Sequence, residues 1–210
     1  MNHSLVTFAI EEEARPFRRL KRTPFSQVLV TGMGPRNAEQ AFRQSLTGPS
    51  PTRVLTCGFA GGLNPDLPLG TVLFSADENF DLTRALVRAG ARLARFHHAD
   101  QVLVTTAEKR ALRQMTGADA VDMESGVIRA ICRERGIPSA TVRVISDAAD
   151  EDLPLDFNRL MGPNARLRYD RLVVALLKSP KRILDLIWMG FRARRAAREL
   201  ANFLSSVLRP

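Results

Sequence analysis

Residues 120–147 read AVDMESGVIRAICRERGIPSATVRVISD. An apolar lead-in meets two carboxylates, Asp122 and Glu124, with Met123 between them. The run GVIRAICRER that follows is helical, Gly136 is placed to cap it, and Pro138 lies just beyond. SATVRVISD is then a β-branched strand ending in Ser146 and Asp147. Strand, helix and strand in succession predict an α/β fold with a largely parallel sheet. The acids at the strand–helix junction have two readings. They complement a helix N-terminus, or they are the working end of a site.

Working outward, the same alternation continues. SLVTFAI is a first buried strand ended by Glu11, Glu12 and Glu13, and SQVLVTGMG is a second strand running into glycines. Pro35 suits the first turn of the helix PRNAEQAFRQSL. TRVLTCGFAGGL is read as a strand followed by a glycine turn, GTVLFSA as a fourth strand, and LTRALVRAGARLARF (about 81–100) as a helix with a basic face. QVLVTT is a short strand and AEKRALRQMT a short helix. Without repeats or low-complexity linkers, residues 1–210 form one domain, with a core over about 4–155 and a helical extension over about 165–208.

The 210-residue chain is large enough for a sizeable core, and 45 % apolar with 25 % charged residues is a globular balance. The start, MNHSLVTFAIEEEARPF, does not read as a signal peptide, and no run reaches membrane-span length. Cys57 and Cys132 lack metal-like spacing and read as reduced thiols, which points to the cytoplasm. The adjacent His97 and His98 point apart and read as surface residues, so no metal is expected. Thirty-one basic against 22 acidic residues give a formal charge of +9. Charge alone would suit nucleic acid, but no groove-reading motif accompanies it.

Within the extension, Arg182–Leu208 is helical. Ile183–Phe191 is apolar almost all round. Beyond it Ala193, Ala196, Ala197, Leu200, Phe203, Leu204 and Val207 share an arc opposite Arg194, Arg195 and Arg198. The plain reading is a helix packed on the sheet or in a dimer interface. The functional reading is a basic amphipathic surface touching lipid headgroups through Trp188 and Phe191, peripheral to the inner membrane.

Open α/β sheets bind ligands at the carboxyl ends of their strands. Here those ends carry Glu11–Glu13, Gly32–Gly34, Gly58–Gly62, Asp122–Glu124 and Ser146–Asp147. Separate acids converging on one edge suit acid–base work on a neutral or polyhydroxyl ligand. A dinucleotide fingerprint is weak, since Asn37 stands where a third glycine belongs, and no Walker-type lysine follows either glycine turn. No cofactor is expected.

Several of these segments, in order over roughly residues 4–155, resemble one family. AIEEEARPF, VTGMGPRNAEQAF, VLTCGFAGGLNPDLPLGTVL and AVDMESGVIRAICRERGIPSATVRVISDAAD look like stretches of the nucleoside phosphorylase and nucleosidase superfamily. The resemblance leans toward the methylthioadenosine and adenosylhomocysteine nucleosidases. TTAEKRAL and SPKRILDLIWMGFRARRAAREL look like the hopanoid-associated phosphorylase subgroup, which is implied to remove adenine from adenosylhopane. The resemblance implies a homo-oligomeric enzyme that takes a nucleoside, with phosphate as the second candidate reactant. By that resemblance Glu13 orients the attacking water, Glu124 accepts from both ribose hydroxyls and Met123 packs on the sugar. Asp147 protonates the purine at N7, Ser146 supports it, and Arg143 lies near the water or phosphate. Phe59, Ala60 and Gly61 belong to the stretch that holds the anion or water.

The chemistry is coherent without the family. Breaking an N-glycosidic bond builds oxocarbenium character on ribose and negative charge on the purine, which an acid at N7 neutralises. Asp147 must carry a proton at that moment, and the neighbouring Asp150, Glu151 and Asp152 would favour it. Glu124 needs the ionised form, which a helix N-terminus favours. Three departures stand out. The strand before GFAGG ends Leu55-Thr56-Cys57 without the phosphate-holding arginine of the phosphorylases, Phe59 replaces a serine, and no aromatic residue near Thr105–Glu108 stacks on the purine. The first looks like the hydrolytic branch, the second removes a side chain expected to contact the water, and the third suggests a site opened for a bulkier 5′ substituent. They also leave a non-catalytic, nucleoside-binding or membrane-recruited regulator as the alternative. Asp122, Glu11 and Glu12 read as structural.

Overall fold

In this computed structural model residues 3–20, 26–160, 162 and 182–209 are described. The first part of the predicted extension, residues 165–181, lies outside them. Eight strands form one mixed sheet, with the path β2-β1-β3-β8-β4-β5 and with β7 and β6 continuing from β3. In chain order these are β1 (Ser4–Phe8), β2 (Ser26–Val30), β3 (Arg53–Gly62), β4 (Val72–Ala76), β5 (Arg92–Leu93), β6 (Phe96–His98), β7 (Ala120–Asp122) and β8 (Ser139–Asp147). The helices are α1 (Glu11–Arg19), α2 (Pro35–Ser45), α3 (Thr83–Arg88), α4 (Thr106–Thr116), α5 (Ser125–Glu134), α6 (Phe157–Leu160) and α7 (Arg182–Val207).

β1, β2, β3 and β8 run parallel, whereas β4 is antiparallel to β8 and β7 to β3. Alternation along each strand feeds two cores. Leu5 and Val54 pack with Ala38 and Phe42 of α2 and Ile128 and Ile131 of α5. Their sequence neighbours Val6 and Leu55 face the other way, with Phe17 of α1 and Leu200 and Leu204 of α7. Helices therefore cover both faces, and the central strands read as continuous apolar runs because neither face is wet. The result is the predicted single α/β domain.

Three local expectations fail. The stretch 81–100 is helical only over α3, because Gly90 turns the chain at φ 97° and two short strands follow. QVLVTT forms no strand; it leads into α4, whose Thr105 is the N-cap. GFAGG is not a turn but the continuation of β3, which pairs with β8 as far as Gly61. The register slips between Ala60 and Gly61, so Ser146 is an extra residue on β8 beside Ile145 and Asp147. Such bulges bend a strand and re-aim its side chains.

α7 divides as its sequence does. Ala196, Ala197, Leu200, Leu204 and Val207 are buried, and Arg194, Arg195 and Arg198 are exposed. Its first turns are different: Leu184, Ile187, Trp188 and Phe191 are all exposed, with Trp188 and Phe191 in edge contact at 6.4 Å. Among the described residues no helix is long and apolar enough to cross a membrane.

Candidate active site

The acids from separate strand ends meet around a buried arginine. Arg143 of β8 is 1 % exposed. Its Nη2 lies 2.5 Å from Asp122 Oδ2 and 3.6 Å from Glu124 Oε2, and its Nη1 donates to the Cys57 carbonyl at 3.0 Å. The guanidinium thus supplies the countercharge that lets two carboxylates share a dry site.

Glu13 enters from α1. The helix starts directly after β1, so its first turn lies over the strand's carboxyl end. Oε2 accepts from the Ala9 and Ile10 amides at 3.0 and 3.3 Å, and Oε1 accepts from the Phe59 amide at 2.8 Å. The side chain is buried, and burial pushes its acidity constant up to about 7 against the opposing pull of Arg143 and the Phe59 amide. Glu11 and Glu12 do not share this place; Glu11 pairs with Arg18 on the surface.

Asp122 and Glu124 divide the two readings of the strand–helix junction between them. Asp122 Oδ2 accepts from the Ser125 amide at 3.1 Å, so Asp122 caps the helix while its other oxygen meets His98 Nδ1 at 2.7 Å. Burial works against its charge, but Arg143 and His98 hold its acidity constant down at about 2. Glu124 makes no cap bond to its own helix. It reaches across the sheet edge to the Gly34 amide at 2.8 Å, in the glycine turn after β2. Burial raises Glu124 above the ordinary carboxylate range, with Arg143 opposing and Asp122 adding to the rise. The helix N-terminus was expected to favour its ionised form, and burial outweighs that. Met123 is half-buried between the two acids.

The β8 bulge sets the third acid. Ser146 Oγ donates to Asp147 Oδ1 at 2.9 Å and lies 3.3 Å from the Ala60 carbonyl. A Cβ on Gly61 would lie 3.3 Å from Asp147 Oδ2. The end of β3 is therefore a floor running from Glu13 to Asp147: Phe59 offers its amide to Glu13, Ala60 its carbonyl to Ser146, and Gly61 its bare face to Asp147. Gly58 completes it. A Cβ there would collide with Arg143 Nη1 and lie 2.7 Å from Glu13 Oε1, so only glycine leaves room for the charged cluster. The predicted Glu13, Arg143, Glu124, Ser146 and Asp147 thus converge, with Met123, Phe59, Ala60 and Gly61 beside them.

A family model described as Phosphorylase superfamily matches residues 81–178. A 5′-methylthioadenosine/S-adenosylhomocysteine nucleosidase of Glaesserella parasuis is 25 % identical over 185 residues, 72 % of this chain and 80 % of that protein. Over these residues the chain is similar to the phosphorylase superfamily. A second nucleosidase of the same description, from Mycobacterium bovis, is 38 % identical over 63 residues, 30 % of this chain and 25 % of its own. The fold agrees with solved structures of this group. Futalosine hydrolase of Helicobacter pylori superposes with a TM-score of 0.71 at 17 % identity, covering 99 % of this chain and 97 % of that one. The Neisseria meningitidis nucleosidase in complex with methylthio-immucillin-A superposes with a TM-score of 0.72 at 17 % identity, covering 99 % and 98 %.

Two residues of the superfamily-like site were not foreseen. His98 is exposed, as expected, but its partner was not foreseen: β6 pairs with β7 so that His98 stands opposite Asp122, and its ring also lies 3.3 Å from Ser125 Oγ. Gly126 belongs with it, since a Cβ there would meet the imidazole at 2.6 Å. Lys109 of α4 was read only as part of a charged helix, yet it is 0 % exposed and its Nζ lies 2.7 Å from Asp147 Oδ2. The acids expected around Asp147 turn elsewhere: Glu151 pairs with Arg192, and Asp152 accepts from the Thr106 amide at 2.6 Å. Asp147 has a cation for its neighbour instead. Among the described residues no group of three His, Cys, Asp or Glu is placed to hold a metal ion.

Proposed function

We propose that the chain cleaves the N-glycosidic bond of a purine nucleoside, releasing adenine from a 5′-substituted adenosine. The observation that carries this reading is the placement of three acids with different partners on one sheet edge. Glu13, pushed up to about 7, is suited to take a proton from water at C1′. Glu124, tied to the Gly34 amide and Arg143, is an acceptor for the two ribose hydroxyls, with Met123 against the sugar. Asp147, on the far side of the β3 floor, gives its proton to purine N7 as the base departs, with Ser146 fixing its orientation.

Water is the attacking group in this reading. Arg143, the arginine that might have held phosphate, is committed to Asp122, Glu124 and the Cys57 carbonyl. The substrate side is a 5′ substituent of apolar character, with adenosylhopane as the specific candidate and the exposed apolar turns of α7 as a peripheral membrane contact. The intact acid set counts against a non-catalytic binder.

The test is adenine release from adenosine analogues with small and lipid-like 5′ groups, with and without phosphate. Release without phosphate is expected. A strict phosphate requirement would sink the hydrolytic assignment. Asp147→Asn is expected to lower turnover at least about 100-fold with the fold intact; retained activity would remove Asp147 from its role.

A further inference from the structure

Among the described residues Lys109 is the most deeply buried cation that the proposed chemistry leaves unexplained. Lysines are almost never fully buried without partners, and this one has three. Nζ lies 2.7 Å from Asp147 Oδ2, 2.7 Å from the Ala148 carbonyl and 2.9 Å from the Glu151 carbonyl. An ammonium has three N–H donors, so all are engaged and none is left for a ligand. Two of the three acceptors are backbone carbonyls that a neutral amide could also have satisfied. The third is the acid assigned to the leaving base.

We propose that Lys109 is a positioning residue for base departure: its ammonium holds Asp147 at the floor and neutralises the carboxylate left once the proton has gone to the purine. The inference rests on the nucleosidase reading. The C1′–N9 bond breaks with its electron pair passing to the base, and the proton moves from the Asp147 carboxyl to N7. The water oxygen bonds to C1′, and its proton passes to Glu13. Lys109 keeps all three of its protons.

The other groups facing the pair leave this balance intact. Ser146 Oγ donates to Asp147 Oδ1, the Gly61 backbone lies beneath, and the Glu151 carboxylate is turned to Arg192. Asp152 lies within electrostatic reach of Lys109, but its carboxylate is held by the Thr106 amide.

The experiment compares wild type with Lys109→Met on two substrates across pH. One is a 5′-substituted adenosine, whose base needs a proton. The other is a riboside with a nitrophenolate leaving group, which departs without one. Lys109→Met is expected to impair the substrate whose base needs a proton and to spare the other. Its kcat on the adenosine should fall at least about 10-fold, with activity on the nitrophenyl riboside within about 2-fold of wild type. No loss on the adenosine, or equal loss on both substrates, overturns the proposal and leaves Lys109 as a clamp on the 147–151 loop. A wild type that releases no base from either substrate fails the nucleosidase reading itself, and this inference with it.

Discussion

Arg143 pairs with Asp122 and Glu124, donates to the Cys57 carbonyl and lends its charge to the surroundings of Glu13. Asp122 is capping residue and counter-ion together, with its acidity constant held at about 2 from an ordinary 3.8. A carboxyl depressed on folding contributes stability that is present above its unfolded value and lost as pH falls through its folded one. Asp122→Asn should therefore cost about 2 kcal/mol at neutral pH. Urea titrations should show the gap from wild type closing between about pH 4 and pH 2; a constant gap would show that packing, not charge, is lost. Glu13 has the opposite sign. In the proposed reaction it must be ionised to accept a proton from water, and burial raises it to about 7. Base release should accordingly rise with pH through about 7, and a profile flat from pH 5 to pH 8 would exclude Glu13 as the base.

At the scale of elements, sequence and structure part company where tertiary contact overrides local pattern. Glu13, Glu124 and Asp147 were legible because they end apolar strands, and strand ends are where such sheets gather chemistry. GFAGG was misread because glycines usually mark turns. Here they let β3 carry on beneath a charged cluster, a need set by Arg143 of β8, far away in sequence. Residues 89–98 carry alanine, leucine and arginine, all good helix formers, yet they form edge strands because β4 and β7 offer ladders to pair with. Lys109 had no sequence signal at all, since its neighbours Glu108 and Arg110 make it look like one more solvated charge.

The helix that delivers Lys109 is fixed by a capping box. Thr105 Oγ1 accepts from the Glu108 amide at 3.2 Å, and Glu108 Oε2 accepts from the Thr105 and Val104 amides at 2.9 and 2.8 Å. Thr105→Ala should cost about 1 kcal/mol, read as a lowered urea midpoint. Because α4 also carries Lys109, the same variant should lower kcat more than it raises KM.

Taken whole, the molecule has one half of α7 locked into the core and the other presenting Ile187, Trp188 and Phe191 outward. The Arg194, Arg195 and Arg198 face and the chain's formal charge of +9 would draw those turns toward an anionic bilayer. Sedimentation with vesicles containing anionic lipid should carry the protein down at low salt, and Trp188→Ser with Phe191→Ser should release it. Equal sedimentation of the double variant would assign the contact to charge alone. The fold class, the single domain and the split character of α7 were all readable in advance, because they depend on periodicity. What lies against the first turns of α7 was not, because an exposed apolar stripe carries no record of its partner.

The continuous end of β3 has a further consequence. In the proposed reaction, water activation at Glu13 and proton delivery at Asp147 would hang from neighbouring peptide groups of one strand, at Phe59 and at Ala60–Gly61. A backbone shift at either place reaches the other within one or two residues. On that proposal nucleophile and leaving group would be geared to a common rail, and selection for a new base or a new 5′ group could not retime one half of the reaction without disturbing the other. Variation in substrate range would then be expected to collect around the rim of the site, in the α4 approach and the α7 turns, while the rail itself stays as it is.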